Sequence, residues 1–320
     1  MKNALLFFLA VLFVLMPGCS INQMAMKAVA DALTGEGSSE VFTGDNDPEL
    51  VGDALPFAIK MYESLLAANP GHEGLIVTTG SLFVMYANAF VQSPADMLPS
   101  GNSLERQLAR DRAKKLYLRG ANMLYNGLDM KYPGLVGAAQ AGTLPEILAR
   151  MKRDDVSALY WTAAGFLSAY SLNPFDMALG VRIPELIAMV NRAYELNPDF
   201  NSGALDDFYV LFYASVPESM GGNKALAETH YHKALEKSGG RLAGPYVSYA
   251  QAIAIPAQDY EAFKENLESA LAIDPDADSA NRLVNIINQR KARYLLDTAN
   301  LRFVTFDDGE DWGDPEDEEF

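Results

Sequence analysis

The stretch DNDPELVGDALPFAIKMYESLLAANP, residues 45–70, decides the fold class. Asp47 is placed to cap a helix whose first residue is Pro48, where the missing N–H costs nothing. Pro56 has no N–H to donate to the carbonyl of Gly52, so we expect a kinked helix, or a short helix followed by a longer one. Apolar residues recur three or four positions apart, which predicts a helix buried along one face. They are Leu50, Val51, Ala54, Leu55, Ala58, Ile59, Tyr62, Leu65 and Leu66.

The end of this stretch has the spacing of the second helix and exit turn of tetratricopeptide repeats, which places a small residue, an aromatic, a small or apolar residue and a proline. Five copies occur, at Ala58, Tyr62, Leu65 and Pro70, at Ala113, Tyr117, Gly120 and Tyr125, at Leu186, Val190, Ala193 and Pro198, at Ala227, Tyr231, Ala234 and Gly239, and at Phe263, Leu267, Ala270 and Pro275. Successive copies lie farther apart than the roughly 34 residues of a standard repeat. The spacing therefore predicts an irregular tetratricopeptide-like helical array, with extra helices between some units.

Signals for β-strands are nearly absent, so we predict an all-α fold in a single domain. The predicted organisation is a signal peptide at residues 1–18, a lipidated tether at 19–44, the helical domain at 45–306 and an acidic disordered tail at 307–320. The tether holds a short amphipathic stretch from Met24 to Leu33, followed by glycines and serines that favour flexibility.

The N-terminus predicts the compartment. Lys2 precedes an apolar run from Ala4 to Met16, which has the length of a signal peptide and is too short for a permanent transmembrane anchor. Cys19 is the single cysteine and directly follows Gly18, as in the bacterial lipobox, where this cysteine is acylated. We therefore expect a lipoprotein that is anchored through Cys19 and has its domain in the periplasm. Ser20 follows the cysteine where Asp would retain the protein at the inner membrane, so it favours the outer membrane if enterobacterial sorting applies. The alternative is a secreted soluble protein with a free thiol.

The net charge of −17 comes largely from the C-terminus. Nine acidic residues lie between Asp307 and Glu319, so the rest of the chain carries a net charge of −8. A block of like charges is usually disordered, and binding of basic surfaces or divalent cations is the alternative. Nucleic acid is not expected as a partner, because it requires a basic footprint.

The sequence lacks a recognisable catalytic constellation, and we expect no enzymatic activity and no cofactor. His230 and His232 are two residues apart, so a helix points them in different directions. Glu228 and His232 are better spaced, but two ligands without a third make a poor metal site. We therefore predict no metal site.

Aromatic residues on two helical segments, SLFVMYANAFVQ and LYWTAAGFLSAYSLNP, exceed what the stacking of repeats obviously needs. Stripes of this kind most often belong to a core. The alternative is a ligand cavity, since Trp and Tyr combine apolar area with a polar atom. The candidate ligand-binding residues are Phe83, Tyr86, Phe90, Tyr160, Trp161 and Phe166.

Six segments between residues 45 and 296 carry a family resemblance: DNDPELVGDALPFAIKMYESLLAANP, GSLFVMYANAFVQ, RDRAKKLYLRGANM, LYWTAAGFLSAY, GGNKALAETHYHKAL and NRLVNIINQRKARYLL. In this order they resemble the TatT family, the T component associated with TRAP (tripartite ATP-independent periplasmic) transporters. The resemblance implies a tetratricopeptide-like periplasmic lipoprotein that partners a P-component ligand-binding protein. It also implies a central pore or cavity for a hydrophobic ligand and a ring-like homo-oligomer such as a trimer. The acidic tail is not part of the resemblance.

Two functions follow as hypotheses. In the first, the protein is a transport accessory that docks a binding protein and channels or holds a hydrophobic ligand. In the second, it is a general scaffold lipoprotein that assembles an envelope complex, and its aromatic residues are only core.

Overall fold

The computed structural model describes residues 19–35, 37, 40–218 and 221–304. The predicted signal peptide, the acidic tail and the side chain of Cys19 lie outside the described residues. Within these ranges the chain forms helices, turns and loops but no β-strand, which confirms the all-α prediction.

The described chain divides into two compact units, one ending at Pro198 and the other beginning at Asp199, within the span predicted as a single domain. The helices of the first unit are α1 (Cys19–Thr34), α2 (Glu40–Thr43), α3 (Pro48–Ala68), α4 (Glu73–Tyr86), the π-helical segment π1 (Ala87–Gln92), α5 (Ser93–Asp96), α6 (Ser103–Lys131), α7 (Ala138–Ala141), α8 (Leu144–Ala149), α9 (Val156–Ser171), α10 (Met177–Gly180) and α11 (Ile183–Leu196). A 3₁₀ turn, Arg153–Asp155, precedes α9.

The second unit is built from shorter helices. They are α12 (Ala204–Ser215), α13 (Lys224–Ser238), α14 (Ala243–Tyr249), the π-helical segment π2 (Ala250–Ala254), α15 (Ile255–Ala257), α16 (Tyr260–Ala272) and α17 (Arg282–Asp297). Short 3₁₀ turns lie at Phe200–Ser202, Pro275–Ala277, Ser279–Asn281 and Ala299–Leu301.

Helix α3 begins as the sequence predicts. The side chain of Asp47 accepts a hydrogen bond from the Leu50 amide at 3.0 Å, and Pro48 is the first helical residue. The helix continues through Pro56 without being divided. One part of the predicted apolar stripe is wrong, because Leu50 and Ala54 are exposed while the rest of its first half is buried. The apolar residues of α3 therefore lie on two faces of the helix, and only one of these faces packs inside the unit.

The residues of the five repeat-like copies lie almost entirely in the core. On α6, α11, α13 and α16 the first three positions of each copy are buried, and on α3 Ala58 and Tyr62 are buried while Leu65 is half-buried. The fourth position of the second copy does not end its helix, since α6 continues past Tyr125 to Lys131. That exit-turn prediction is wrong, because Tyr125 packs as a core residue in mid-helix.

Consecutive helices pack as pairs. Such pairs are α4 with α6 and α9 with α11 in the first unit, and α12 with α13 and α14 with α16 in the second. In each of these pairs the second helix carries one of the repeat-like copies. The most extensive contact of the first unit joins two of these pairs, through α6 and α9. The tetratricopeptide-like arrangement itself stays a prediction.

Each unit contains one π-helical segment ahead of a proline. In π1 the amide of Ser93 donates to the carbonyl of Asn88, and in π2 the amide of Ile255 donates to the carbonyl of Ala250. Both donors immediately precede a proline, whose ring would clash with the carbonyl four residues earlier in an α-helix. The wider π turn relieves that clash, so proline explains both segments.

The continuous helix from Glu73 to Asp96, which joins α4, π1 and α5, is long and apolar enough to cross a membrane. More than half of its most apolar window is buried against other helices of the unit. Since α4 packs against α3, α6 and α9, this is the composition of a core helix.

Candidate functional site

Helices α4, α6 and α9 meet where each carries a glycine. A Cβ on Gly120 would lie 2.5 Å from the carbonyl oxygen of Gly80, and a Cβ on Gly165 would lie 2.9 Å from Cγ2 of Val84. Real Cβ atoms do not approach backbone this closely, so glycine sets the distance between the helices. Phe83 of α4 lies at this contact, because its Cβ would be 2.9 Å from a Cβ on Gly120.

Two of the six candidate ligand-binding residues are closed into the core. Phe83 is 3% exposed and Phe166 is 2% exposed. The guanidinium of Arg119 lies 4.8 Å from the ring centre of Phe83, and that of Arg182 lies 3.9 Å from the ring centre of Phe166. These are cation–π contacts at the edge of the core. The protein's own side chains therefore cover both rings and leave almost no ring surface open to a ligand.

Tyr86 and Phe90 form a stacked pair with ring centres 5.8 Å apart. Nη2 of Arg112 donates to the Tyr86 hydroxyl at 3.4 Å. The Phe90 ring lies against Gly52 of α3, where a Cβ would come within 2.8 Å of it. Phe90 of π1 therefore packs against α3, and Tyr86 stacks on it.

Tyr160 and Trp161 are half-buried, as Phe90 is, whereas Phe83, Tyr86 and Phe166 are buried. The rings of Tyr160 and Trp161 meet edge to face at 4.9 Å. Neighbouring residues of α9, such as Ala163 and Phe166, are buried. Tyr160 and Trp161 thus lie at the margin of the core, and their open surface is available to a bound molecule.

A polar network lies beside this region and was missed by the sequence analysis. The hydroxyl of the fully buried Tyr117 donates to Oε1 of Gln92 at 2.7 Å, and Nε2 of Gln92 donates to Oδ2 of Asp96 at 3.2 Å. Asp96 also pairs with Arg110 at 2.9 Å. Burial raises the pKa of Tyr117, so its hydroxyl remains a donor. In the repeat spacing Tyr117 has only a packing role, and nothing in that pattern signals its partner.

A second buried polar cluster of the first unit joins α6 to α11. The Tyr125 hydroxyl donates to the carboxylate of Glu185, which is 7% exposed, and Arg182 pairs with the same carboxylate at 3.2 Å. Burial and the neighbouring carboxylate raise the pKa of Tyr125. The Tyr125 hydroxyl and Nε of Arg182 both partner the carboxylate, which explains how Glu185 can be buried.

The second unit has a charged core centred on Asp206, which is fully buried. Its carboxylate lies 2.7 Å from Nδ1 of His230 and 2.7 Å from Nζ of Lys237. Burial opposes ionisation of Asp206, but the hydrogen bonds from His230 and Lys237 lower its pKa overall. Tyr209 covers His230 with ring centres 4.7 Å apart. The charges are paired with one another inside the unit.

His232 and Glu228, the better-spaced pair of the sequence analysis, are both exposed on α13. The inward-facing histidine is His230 instead. Among the described residues, no group of three or more His, Cys, Asp or Glu side chains is placed to hold a metal ion.

Asp207, which follows the buried Asp206 in α12, lies in a different environment from Asp206. Its Oδ1 is buried and accepts no hydrogen bond, and burial raises its pKa to about 6, although Ser248 and Lys291 act in the opposite direction. A Cβ on Gly244 of α14 would lie 3.7 Å from Oδ2 of Asp207 and 3.7 Å from Nδ2 of Asn288. Polar groups of α12, α14 and α17 therefore converge around one carboxyl group.

The second unit also has an open hollow of about 510 Å³ lined by Asp199, Ser202, Glu236 and Lys237. Ser202 has a φ of 53°, in the left-handed region. The lining is polar, and the six candidate aromatic residues all belong to the other unit. This hollow is not the predicted hydrophobic site.

Comparison with known proteins gives two findings. A family model described as TRAP transporter T-component (TAtT) matches residues 44–303. The chain is also similar to a protein of Treponema pallidum (strain Nichols) that carries the description "Uncharacterized protein". The two are 36% identical over 293 residues, which cover 87% of this chain and 91% of that protein.

Proposed function

The chain belongs to the TRAP transporter T-component family, and we propose on that premise that it docks a P-component ligand-binding protein and holds or channels a hydrophobic ligand. The family is an envelope-associated component of TRAP transport, so the protein has an accessory role in that system. The family match over residues 44–303 carries the proposal, because it includes nearly all of the helical part of the chain.

The ligand part of the proposal depends on Tyr160 and Trp161. Both rings are half-buried, and each offers apolar area together with one polar atom. Phe83 and Phe166 are closed by arginine and aromatic contacts, and we assign them to the support of the site. A hydrophobic ligand would lie against the open faces of Tyr160 and Trp161, with Tyr86 and Phe90 farther along the aromatic region.

We further propose that the protein is a lipoprotein anchored through Cys19, with its domain in the periplasm and at the outer membrane as Ser20 favours. Each buried acyl CH₂ group contributes about 0.8 kcal/mol, so an anchor of more than one acyl chain would be effectively permanent. A role that consists of binding and transfer requires no turnover, so we propose that the protein is not an enzyme. A ring-like homo-oligomer belongs to the same proposal.

Docking is tested with the purified mature protein and the P-component binding protein encoded beside a TRAP permease in the same genome. We expect a defined complex by surface plasmon resonance and by native mass spectrometry. A periplasmic binding protein of another transporter class serves as the control. If neither technique detects a complex, or if the control binds equally well, the docking function is wrong.

Ligand holding is tested by solvent extraction and mass spectrometry of the protein purified without detergent. We expect a hydrophobic compound in the extract and its loss in Trp161→Ala. Because Trp161 is half-buried, Trp161→Ala should lower the free energy of unfolding less than Phe166→Ala does. The ring of Phe166 is buried, so its removal should cost about 3–5 kcal/mol. Trp161→Phe should retain the compound.

The scaffold function would instead give no extractable compound and an unchanged affinity of Trp161→Ala for the binding protein. It also predicts that Trp161→Ala is as destabilising as Phe166→Ala, since both would then be core residues. These outcomes together would contradict the ligand part of the proposal.

A further inference from the structure

Helix α3 carries a second apolar stripe that its own unit leaves uncovered. Leu50 is 59% exposed, Phe57 is 75% exposed and Met61 is 37% exposed. Ala54 and Ala68 are exposed as well. At about 100° per residue these five positions lie within roughly 60° of one another around the helix, and at 1.5 Å per residue they extend over about 27 Å. We call these five residues the outer stripe of α3.

The outer stripe is distinct from the face of α3 that builds the core. That face consists of Val51, Leu55, Ala58, Ile59 and Tyr62, which are all buried. The polar residues Asp53 and Lys60 are exposed beside the stripe on its other side. Terminal repeats of a helical array usually turn a polar surface outward, and α3 carries the first of the repeat-like copies. An apolar outer stripe at this position indicates that something covers it.

The elements between Cys19 and α3 expose apolar side chains too. Val29 of α1 is 46% exposed and Val41 of α2 is 76% exposed. Exposed apolar residues thus occur on each of the three helices that follow the predicted lipid anchor.

The C-terminal end of α1 is attached to α3 and α4, and its first residue is the predicted anchor. The hydroxyl of Tyr62 donates to the carbonyl of Leu33 at 3.0 Å, and Asp31 pairs with His72 at 2.9 Å, where α4 begins. Ala30 is completely buried. Cys19 is the first residue of the same helix, and Asp31 lies twelve positions after it, a rise of about 18 Å at 1.5 Å per residue. A lipid on Cys19 would therefore keep α3 within a short distance of the bilayer.

We propose that the outer stripe of α3 rests on the phospholipid bilayer that holds the lipid of Cys19, so that the protein is attached at two places. This inference rests on the lipoprotein part of the proposed function. Among the occupants that could cover an apolar stripe, the bilayer is favoured because the single helix α1 connects the predicted anchor to α3. Leu, Phe and Met are side chains that enter the boundary between headgroups and acyl chains when a helix lies on a membrane. The attachment would fix which side of the first unit faces the periplasm.

The test uses the full-length lipoprotein with one added cysteine at Phe57→Cys, labelled with an environment-sensitive fluorophore. The acylated Cys19 cannot react, so only the added thiol carries the label. The protein is reconstituted in vesicles of phosphatidylethanolamine and phosphatidylglycerol with a spin-labelled lipid as quencher. We expect a blue-shifted emission and loss of most of the fluorescence. Leu50→Cys, on the same stripe, should give the same result.

Two matched variants are the controls. Lys60→Cys lies on the same helix but beside the stripe, with its side chain 66% exposed, and Phe175→Cys lies between α9 and α10, where Phe175 is 89% exposed. Both labels should remain unquenched. Equal quenching at all four positions, or none at positions 50 and 57, would overturn the proposal.

Quenching at position 57 that disappears when the P-component binding protein is added would also contradict a permanent bilayer contact and assign the stripe to that protein. If the quenching at position 57 instead disappears as the protein concentration rises, the outer stripe would be assigned to contact with a second copy of the chain. Incorporation of labelled palmitate, measured on the same samples, separates the two proposals. If acylation occurs without quenching, only the bilayer contact fails, and if acylation is missing in the unsubstituted chain, the lipoprotein assignment fails first.

Discussion

In the first unit, Gly80 and Gly120 bring α4 and α6 so close that a Cβ on Gly120 would lie 2.5 Å from a backbone oxygen. In the second unit, α12 and α13 are joined instead by the fully buried carboxylate of Asp206, which lies 2.7 Å from both His230 and Lys237. Both contacts join the two helices of one pair. The first depends on the shape of the backbone and the second on charge.

The difference indicates how each contact can fail. The glycine contact has no titratable group and no alternative geometry, so it is insensitive to pH and intolerant of added atoms. The charged contact tolerates changes of shape better, but it requires that Asp206 stay ionised and partnered. Stability measurements that respond separately to volume and to charge should therefore separate the two units.

The largest expected effect belongs to the charged contact. Asp206→Ala leaves Lys237 without its closest buried carboxylate, so we expect a loss of about 3–5 kcal/mol in the free energy of unfolding. Urea denaturation followed by circular dichroism measures it. Asp199→Ala is the control, since Asp199 is 76% exposed and 3.7 Å from the same lysine and should lose less than about 1 kcal/mol. Similar losses for both variants would show that the buried pairing of Asp206 is not what stabilises the unit.

The pH dependence has a fixed sign for the same group. The folded-state pKa of Asp206 lies below its ordinary value of 3.8, so its contribution is present above that value and is lost as the pH falls through the lowered pKa. Asp206→Ala should flatten the acid limb of the stability curve, whereas Asp199→Ala should leave it unchanged.

A somewhat smaller effect is expected at the glycine contact. Gly120→Ala adds a methyl group against the carbonyl of Gly80 and beside Phe83, and the backbone cannot rotate away, so we expect a loss of about 3 kcal/mol. Gly101→Ala is the control, because no atom lies within 4 Å of its added Cβ. The loss at position 120 should be the same at pH 5 and pH 8. A loss that varied with pH would remove the contrast between the two contacts.

The smallest effect is expected at Asp207, where the substitution should stabilise the protein and not destabilise it. Its pKa of about 6 lies above the ordinary 3.8, so ionisation weakens the folded state and stability falls as the pH rises from about 4 to 6. Asp207→Asn removes that charge and should raise the free energy of unfolding at pH 8 by about 2 kcal/mol, with little gain at pH 4. Denaturation at the two pH values measures the difference. A destabilised Asp207→Asn at pH 8 would show that the carboxylate is favourably partnered.

Sequence periodicity predicted much of the helical core correctly. The first three positions of four repeat-like copies are buried, and Asp47 caps α3 as its position indicated. The exit turn at Tyr125 was wrong, because α6 continues through it and the tyrosine binds Glu185. Spacing shows which residues share a face, but a proline or glycine is needed to show where a helix ends.

The sequence named the aromatic residues of the candidate site, but their surroundings came only from the structure. Gly165 of α9 lies at the contact with α4 and α6, and the ligand-binding role of the aromatic residues on these segments stays a prediction. The partner of Tyr117, the separation of Trp161 from Phe166 by burial, and the inward position of His230 were not predictable. Each depends on a neighbour that is distant in sequence.

The sequence by itself determined the all-α class, the family and the faces of most core helices, because local periodicity, caps and prolines act over a few residues. The tertiary structure decided which carboxylates are ionised and paired, which aromatic rings stay open and which of the two apolar faces of α3 is buried. Adjacent residues such as Asp206 and Asp207 have the same chemistry and nearly the same local sequence, yet their pKa values shift in opposite directions. The reason is that burial and partner charges are set by other helices, and their contribution exceeds any preference encoded within one helix.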